Sequence, residues 1–233
     1  MTSEQQPNRR NLLWRGLAAG VGSFLLLAVL LFAPAGTFDF WQAWVYLALY
    51  AIYLFPGSVY WCRVDPDYVE RRLKFGAGSE TNRNQKWIMA ALTVVTCSWF
   101  VIPGFDHRFG WSDVPLYAVI IAIGLVVLGM VIVYLTAIYN RFSAATITVE
   151  ENQPVISTGP YAWVRHPMYS GVSLWCTATP VALGSWWGLV VVFPLYAVLY
   201  LRIVGEERYL REHLPGYTEY CQKVKYRLIP FVF

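Results

Sequence analysis

Two polar clusters in an otherwise apolar chain carry the residues that could do chemistry. The first lies in the turn-rich stretch 140–171 and contains Arg165, His166 and Tyr169. The second contains Arg202 and Glu206, which are four residues apart and therefore share one face of a helix. An imidazole, two guanidinium groups and a carboxylate beside an apolar wall suit a polar, cationic cofactor and a lipid-like substrate. Alternatively, Arg202 and Glu206 form an ordinary surface salt bridge without a function, which contributes little to the stability of the protein.

Several common chemistries are excluded by what the sequence lacks. There is no G-x-S-x-G element of a serine hydrolase, no dinucleotide-binding G-x-G-x-x-G and no phosphate-binding P-loop. The only histidines are His107, His166 and His213, and none of the four cysteines forms a C-x-x-C pair. We therefore expect no metal site. We also expect no nucleic-acid partner, because the basic residues lie between apolar runs and not in one patch.

The composition indicates a membrane protein. Hydrophobic residues make up 57% of the chain and charged residues only 14%, whereas soluble domains carry roughly 25% charged residues. A membrane-spanning helix needs about 20 apolar residues. The apolar runs predict an all-α, polytopic transmembrane helical bundle with about six spans, at 12–32, 40–61, 87–102, 115–139, 169–183 and 186–203.

The distribution of positive charge predicts the orientation of these spans. With six spans, all of the 18 Lys and Arg residues except Arg108 fall on the side that holds both termini. Positive residues accumulate in cytoplasmic connections. We therefore expect an integral membrane protein of a bacterial-type inner membrane with both termini in the cytoplasm. The pair Arg9-Arg10 before the first apolar run also fits a twin-arginine signal peptide, but we interpret it as the positive flank of the first span.

Local signals predict further elements. Asp65 followed by Pro66 is typical of a helix start, with Asp65 as N-cap and Pro66 in the first position. We expect a short helix there, lying on the membrane surface with an apolar side. Gly184-Ser185 predicts a tight turn that makes a hairpin of the last two spans. We divide the chain into an N-terminal part, 1–112, with transmembrane helices and an interfacial loop, and a catalytic part, 113–233.

A family resemblance becomes specific in the C-terminal half. Residues 159–171 read G-P-Y-A-W-V-R-H-P-M-Y-S-G, and residues 206–230 contain E-E-x-x-L, then two tyrosines, a valine and a proline. Both elements resemble those of the isoprenylcysteine carboxyl methyltransferases and related phospholipid methyltransferases. The resemblance covers roughly 130–233, and none is evident for the N-terminal half. The tail departs from the family pattern at 214–216 and 225–227, so the acceptor could differ.

The resemblance implies S-adenosyl-L-methionine as the methyl donor, in a cytoplasmic pocket formed by the 140–168 loop and the C-terminal helix. It implies cofactor contacts from Gln153, Pro154, Val155, Ile156, Tyr161, Arg165, His166, Pro167, Tyr169 and Glu206. Arg202 would face the acceptor and neutralise its carboxylate. Arg165 would either hold the cofactor carboxylate or brace the loop. Tyr217, Tyr220 and Tyr226 would close the pocket as a lid or pack at the membrane interface.

Three functions remain open at this stage. The first is carboxyl O-methylation of a lipophilic, isoprenoid-like small molecule or lipid, which needs desolvation and alignment but no base. The second is N-methylation of a phospholipid or amine, which needs a base such as His166 to remove a proton. The third, of another class, is a non-catalytic membrane accessory protein with the same fold. The third predicts a broken pocket, whereas Tyr161, His166, Tyr169 and Glu206 are all present.

Overall fold

The computed structural model describes residues 9–73, 83–142, 149 and 153–230. Within these ranges the chain is helical and contains no strand. The helices are α1 (Arg9–Ala35), α2 (Trp41–Val64), α3 (Pro66–Leu73), α4 (Arg83–Phe109), α5 (Leu116–Tyr139), α6 (Pro167–Ala182), α7 (Val192–His213) and α8 (Tyr217–Lys223), with short 3-10 turns at Gly159–Ala162 and Trp187–Val191. The predicted all-α fold is confirmed.

Four helical segments in the described ranges are long and apolar enough to cross a membrane. They are α1, α2, α5 and Trp187–His213, which joins α7 to the 3-10 turn before it. The other two predicted spans fall on α4 and α6. With 16 residues, α6 is about 24 Å long at 1.5 Å per residue, short of the roughly 30 Å hydrocarbon layer. A polytopic helical bundle is confirmed, whereas the count of six spans stays a prediction.

The helix start predicted at Asp65 is confirmed. The Asp65 carboxylate accepts a hydrogen bond of 2.9 Å from the backbone amide of Tyr68, and Pro66 is the first residue of α3. Tyr68 and Val69 are buried in a cluster with Trp61. The apolar side of α3 thus packs against α1 and α2.

The turn predicted between the last two spans is also confirmed. Gly184 adopts a positive φ of 77°, and the backbone amide of Ser185 donates to the carbonyl of Pro180 at 2.9 Å. After this turn, α7 runs without a break to His213. The sixth predicted span and the C-terminal helix are therefore one helix, so that Arg202 and Glu206 are rigidly linked to the apolar segment.

Two glycines let α5 and α6 approach closely. A Cβ at Gly129 would lie 2.8 Å from the carbonyl oxygen of Gly171, and a Cβ at Gly171 would lie 2.9 Å from Ile132 Cγ2. Small residues permit such backbone contact between membrane helices. Gly171, the last residue of the 159–171 motif, therefore fixes α6 against α5 and with it the side chains at the start of α6.

A buried carboxylate links the end of α4 to the segment after α6, at the end of the bundle opposite to the start of α6. Asp106, which is 1% exposed, lies near the end of α4. Its side chain accepts hydrogen bonds from the hydroxyls of Ser112 and Ser185 and, at 2.7 Å, from the backbone amide of Ser112. The neighbouring His107 lies 2.9 Å from the carbonyl of Asp39, between α1 and α2. His107 and His166 thus lie at opposite ends of the bundle, because Ser185 follows α6 whereas His166 precedes it.

Candidate functional site

The candidate site begins at the turn that leads into α6. Gly159 has a φ of +59°, and a Cβ there would lie 2.4 Å from the ring of Tyr139, so this position requires glycine. The 3-10 turn that follows buries Tyr161, whose hydroxyl accepts a hydrogen bond of 3.0 Å from the Asn140 amide. His166 is the N-cap of α6 and Pro167 its first residue, a position that proline favours. These conformational preferences determine where the loop ends and α6 begins, and with it the position of His166.

The C-terminal segment holds this loop in place. The backbone amides of Arg165 and His166 donate to the carbonyls of Tyr226 and Arg227, each at 2.9 Å. The Arg165 guanidinium adds bonds from Nη1 to the carbonyls of Val224 and Lys225, at 3.1 and 3.2 Å. Arg165 therefore braces the loop against the tail, one of the two roles left open for it, and it also lines the cavity described below.

Glu207 is the electrostatic centre of the site. Glu207 is 3% exposed, and its carboxylate accepts hydrogen bonds from Arg165 Nε at 2.8 Å and Arg227 Nη2 at 3.1 Å. The Nε2 atom of His166 lies 3.3 Å from the same carboxylate. Since an ionised carboxylate only accepts hydrogen bonds, His166 Nε2 carries a proton. The hydrogen bond to Glu207 raises the pKa of the Arg227 guanidinium.

A second polar array connects α6 and α7. The hydroxyl of Tyr169 donates to Glu206 Oε2 at 2.7 Å and accepts from Arg202 Nε at 3.0 Å. Arg202 and Glu206 are one turn apart on α7, so Tyr169 bridges two side chains of the same helix face. The array aligns a cation and a carboxylate side by side, which is more than the isolated surface salt bridge considered above.

These groups surround one cavity of about 870 Å³, a volume that includes its open mouth. Every residue assigned to the site by sequence lines it except Pro167, which is buried at the start of α6. The lining consists of Asn140, Phe142, Gln153, Pro154, Val155, Ile156, Tyr161, Arg165, His166, Met168, Tyr169, Arg202, Glu206, Leu210, Leu214, Tyr217 and Tyr220. The structure thus brings together the loop, the start of α6, the end of α7 and α8.

Sequence reasoning gave no role to Glu207 or Arg227 and left the tyrosines open between a lid and interfacial packing. Glu207 was visible in the E-E pair, but adjacent helix positions point about 100° apart, and only the packing shows which one is buried. Tyr217 and Tyr220 are both buried, and the hydroxyl of Tyr220 donates to the carbonyl of Tyr161 at 2.8 Å. Burial raises the pKa of both phenols.

Comparison with known proteins shows which families this chain is similar to. A family model described as phospholipid methyltransferase matches residues 117–215. A protein-S-isoprenylcysteine O-methyltransferase of Saccharomyces cerevisiae is 38% identical over 96 residues, which are 40% of this chain and 40% of the yeast protein. A probable protein-S-isoprenylcysteine O-methyltransferase of Oryza sativa is 28% identical over 198 residues, 82% of this chain and 97% of the rice protein. A Delta(14)-sterol reductase of Mus musculus is 28% identical over 95 residues, 38% of this chain and 22% of the mouse protein.

The chain is therefore similar to membrane-embedded methyltransferases, most clearly in the C-terminal half that carries the cavity. The resemblance of the C-terminal half to the isoprenylcysteine carboxyl methyltransferases and related phospholipid methyltransferases is confirmed. The alignment with the rice protein covers 82% of the chain and so extends into the N-terminal half, for which the motifs indicated no relative. The methyltransferase relatives imply a methyl donor of the S-adenosylmethionine type.

Proposed function

We propose that this protein transfers a methyl group from S-adenosyl-L-methionine to the carboxylate of a lipophilic, isoprenoid-like acceptor at the cytoplasmic membrane surface. The observation that carries the proposal is the array of Tyr169, Arg202 and Glu206 in the cavity. It lies on α6 and α7, and Leu201, the residue before Arg202, is an exposed apolar side chain of α7. A polar site next to an apolar helix surface suits an acceptor with a charged head and a lipid-like tail.

The lining of the cavity suits the proposed cofactor in its chemistry, because it combines polar side chains with apolar ones. The Glu206 carboxylate can accept from hydroxyl or amino groups, and Val155 and Ile156 offer apolar surface beside it. The residues that would hold the cofactor are those of 153–156, Tyr161, the start of α6 and Glu206. When bound, the cofactor supplies an electrophilic methyl group on a sulfonium.

The role proposed for Arg202 is to bind the carboxylate of the methyl acceptor. Its guanidinium can orient a carboxylate by charge-assisted hydrogen bonds, and the bond from its Nε to Tyr169 fixes its position. A carboxylate oxygen is already a nucleophile, so the chain need not supply a base. His166 fits the wall of the cavity better than the role of base, because its Nε2 is engaged with Glu207.

The match to the phospholipid methyltransferase family model favours the second candidate, N-methylation of an amine. This reaction would require His166 Nδ1 or a glutamate to accept the proton of the amine.

Transfer of a labelled methyl group separates the candidates. Purified protein in detergent would be incubated with methyl-labelled S-adenosylmethionine and either a membrane lipid extract or an S-farnesylated cysteine derivative. We expect a labelled product that releases labelled methanol in alkali, as a methyl ester does. Label that resists alkali would support N-methylation and contradict the carboxyl acceptor. No labelled product together with no cofactor binding would support the accessory function.

A further inference from the structure

A second cavity lies between the turn that precedes α6 and the C-terminal tail. Its volume, which includes its open mouth, is about 480 Å³. Trp163 lines it from the turn, and Lys223, Lys225 and Tyr226 line it from the tail. None of these four residues is among those that line the cavity of the candidate site. The second cavity therefore has no part in the function proposed above.

The backbone around Val224 places the two lysines on one side of the tail. Lys223 is the last residue of α8, and Val224 follows it in an extended conformation, with φ of −104° and ψ of 97°. Val224 is buried in a cluster with Tyr217 and Tyr220, whereas both lysines are exposed. Because successive side chains of an extended segment point to opposite sides, the burial of Val224 leaves Lys223 and Lys225 facing away from the protein interior.

Apolar surface lies next to the two cations. The side chain of Trp163 is 66% exposed, and Pro230 lines the same cavity. Tryptophan is enriched at membrane–water interfaces, where its ring lies at the level of the lipid headgroups. The position in the chain agrees with such a location, because Trp163 lies just before α6 and the tail follows the segment Trp187–His213, which is long and apolar enough to cross a membrane.

The second cavity adjoins the contacts that hold the candidate site in place. The carbonyls of Val224 and Lys225 accept the hydrogen bonds of 3.1 and 3.2 Å from Arg165 Nη1. The carbonyl of Tyr226 accepts a bond of 2.9 Å from the backbone amide of Arg165. A ligand that contacts both Trp163 and Lys225 therefore joins the turn to the tail that braces it, and its binding should stabilise the folded protein.

We propose that this cavity binds the phosphate group of an anionic phospholipid. The ammonium groups of Lys223 and Lys225 can donate charge-assisted hydrogen bonds to phosphate oxygens. No carboxylate lines the cavity within the part of the chain that the structure describes, and Glu219, one turn before Lys223 on α8, lies outside its lining. A free phosphate ion would satisfy the lysines equally well, whereas only a lipid also covers the exposed ring of Trp163.

Melting temperatures of the whole purified chain in detergent micelles test this proposal. Phosphatidylglycerol would be added at increasing mole fraction, and the rise in melting temperature gives an apparent dissociation constant, since a ligand that binds only the folded state stabilises it. In the double variant Lys223→Gln, Lys225→Gln we expect this constant to rise about thirtyfold, because each basic residue at an anionic surface contributes about fivefold. The variant Lys223→Arg, Lys225→Arg keeps both charges and should bind like the unchanged protein.

The matched control is the double variant Arg63→Gln, Arg208→Gln. It removes the same charge from exposed positions of α2 and α7 that do not line the cavity, so its dissociation constant should be unchanged. An equal loss in the control would overturn the inference, because the protein would then respond to net charge alone, and so would unweakened binding in the lysine-to-glutamine variant. Equal stabilisation by phosphatidylcholine with the same chains, or by inorganic phosphate at the same concentration, would also overturn it, since neither is an anionic lipid.

Discussion

Glu206 and Glu207 are neighbours in the chain, yet their carboxylates lie in different environments. Glu207 is buried among Arg165, His166 and Arg227, whereas Glu206 lines the cavity and accepts a bond from Tyr169. A buried ion pair is costly to break, because the remaining charge stays desolvated. We therefore assign Glu207 to the stability of the site and Glu206 to the binding of the ligand.

The first prediction separates these two roles by stability. Glu207→Gln removes the charge that compensates two arginines, and we expect it to lower the free energy of unfolding by about 3 kcal/mol, as for other broken buried pairs. Glu206→Gln keeps the bond from Tyr169 and should change the stability by less than about 1 kcal/mol. Melting temperatures in detergent, followed by intrinsic fluorescence, compare the two variants. Equal losses in both would contradict the assignment.

The second prediction separates donor binding from acceptor binding. Glu206→Ala removes a charged hydrogen-bond acceptor from the cavity and should weaken S-adenosylhomocysteine binding roughly tenfold or more. Arg202→Ala should leave this dissociation constant within about threefold and raise the KM for the lipophilic acceptor, because the carboxylate loses a charge-assisted bond. Calorimetry and label transfer measure the two quantities. The same loss of product binding in both variants would refute the division.

At the residue scale, part of the candidate site could be predicted from the sequence and part could not. The family resemblance implied ten of the lining residues, including Tyr161, Tyr169 and Glu206, since the loop and α7 each carry them close together in sequence. The pairing of Glu207 with Arg227 was out of reach, because it joins α7 to an irregular tail whose path depends on packing.

At the scale of elements, features set by residues close together in sequence could be predicted, whereas contacts between residues of different helices could not. Asp65 with Pro66 and the pair Gly184-Ser185 act within a few residues, and the structure confirms the helix start and the turn that they predict. The contact of α5 with α6 depends on Gly129 and Gly171, which lie in different helices. Nothing in either glycine's neighbourhood in sequence reveals the partner.

The third prediction concerns this helix contact. In Gly129→Ala the new methyl would meet the backbone nitrogen of Trp175 at 2.7 Å, so α5 and α6 must separate, at a cost of about 1–3 kcal/mol. Gly124→Ala on the same helix is the matched control, since a Cβ there has nothing within 4 Å, and alanine favours the helix. The melting temperature should fall for Gly129→Ala only. A fall of similar size in the control would show that the effect is not due to the contact.

At the scale of the whole molecule, the cavity constrains how the helices cross the membrane. It is lined by residues from the start of α6 and the end of α7, while Ser185 and Asp106 join the other end of α6 to the end of α4. We therefore expect α4 and α6 to traverse the same layer as α5 and α7, although α6 has only 16 residues. If α6 did not cross, Tyr169 and Glu206 would lie on opposite sides of the membrane, yet they are hydrogen bonded.

The fourth prediction tests this topology. With six spans, the α4–α5 connection at Gly110 lies on the side opposite both termini, and the single basic residue of that side, Arg108, is next to it. Gly110 has a φ of +62° and open space around its Cβ position, so an inserted reporter should be tolerated. In a bacterial inner membrane, alkaline phosphatase inserted after Gly110 should be active, because it folds only outside the cytoplasm.

The same phosphatase fused after Phe233 should be inactive, and a green fluorescent protein at that position should fluoresce. An active phosphatase at the C-terminus would place the cavity on the outer side, away from a cytoplasmic methyl donor, and would contradict the proposed function together with the orientation. An inactive phosphatase after Gly110 with a fluorescent C-terminal fusion would instead contradict the crossing of at least one of α5, α6 and α7. The two fusions thus connect the distribution of charge along the chain to the side of the membrane on which the reaction takes place.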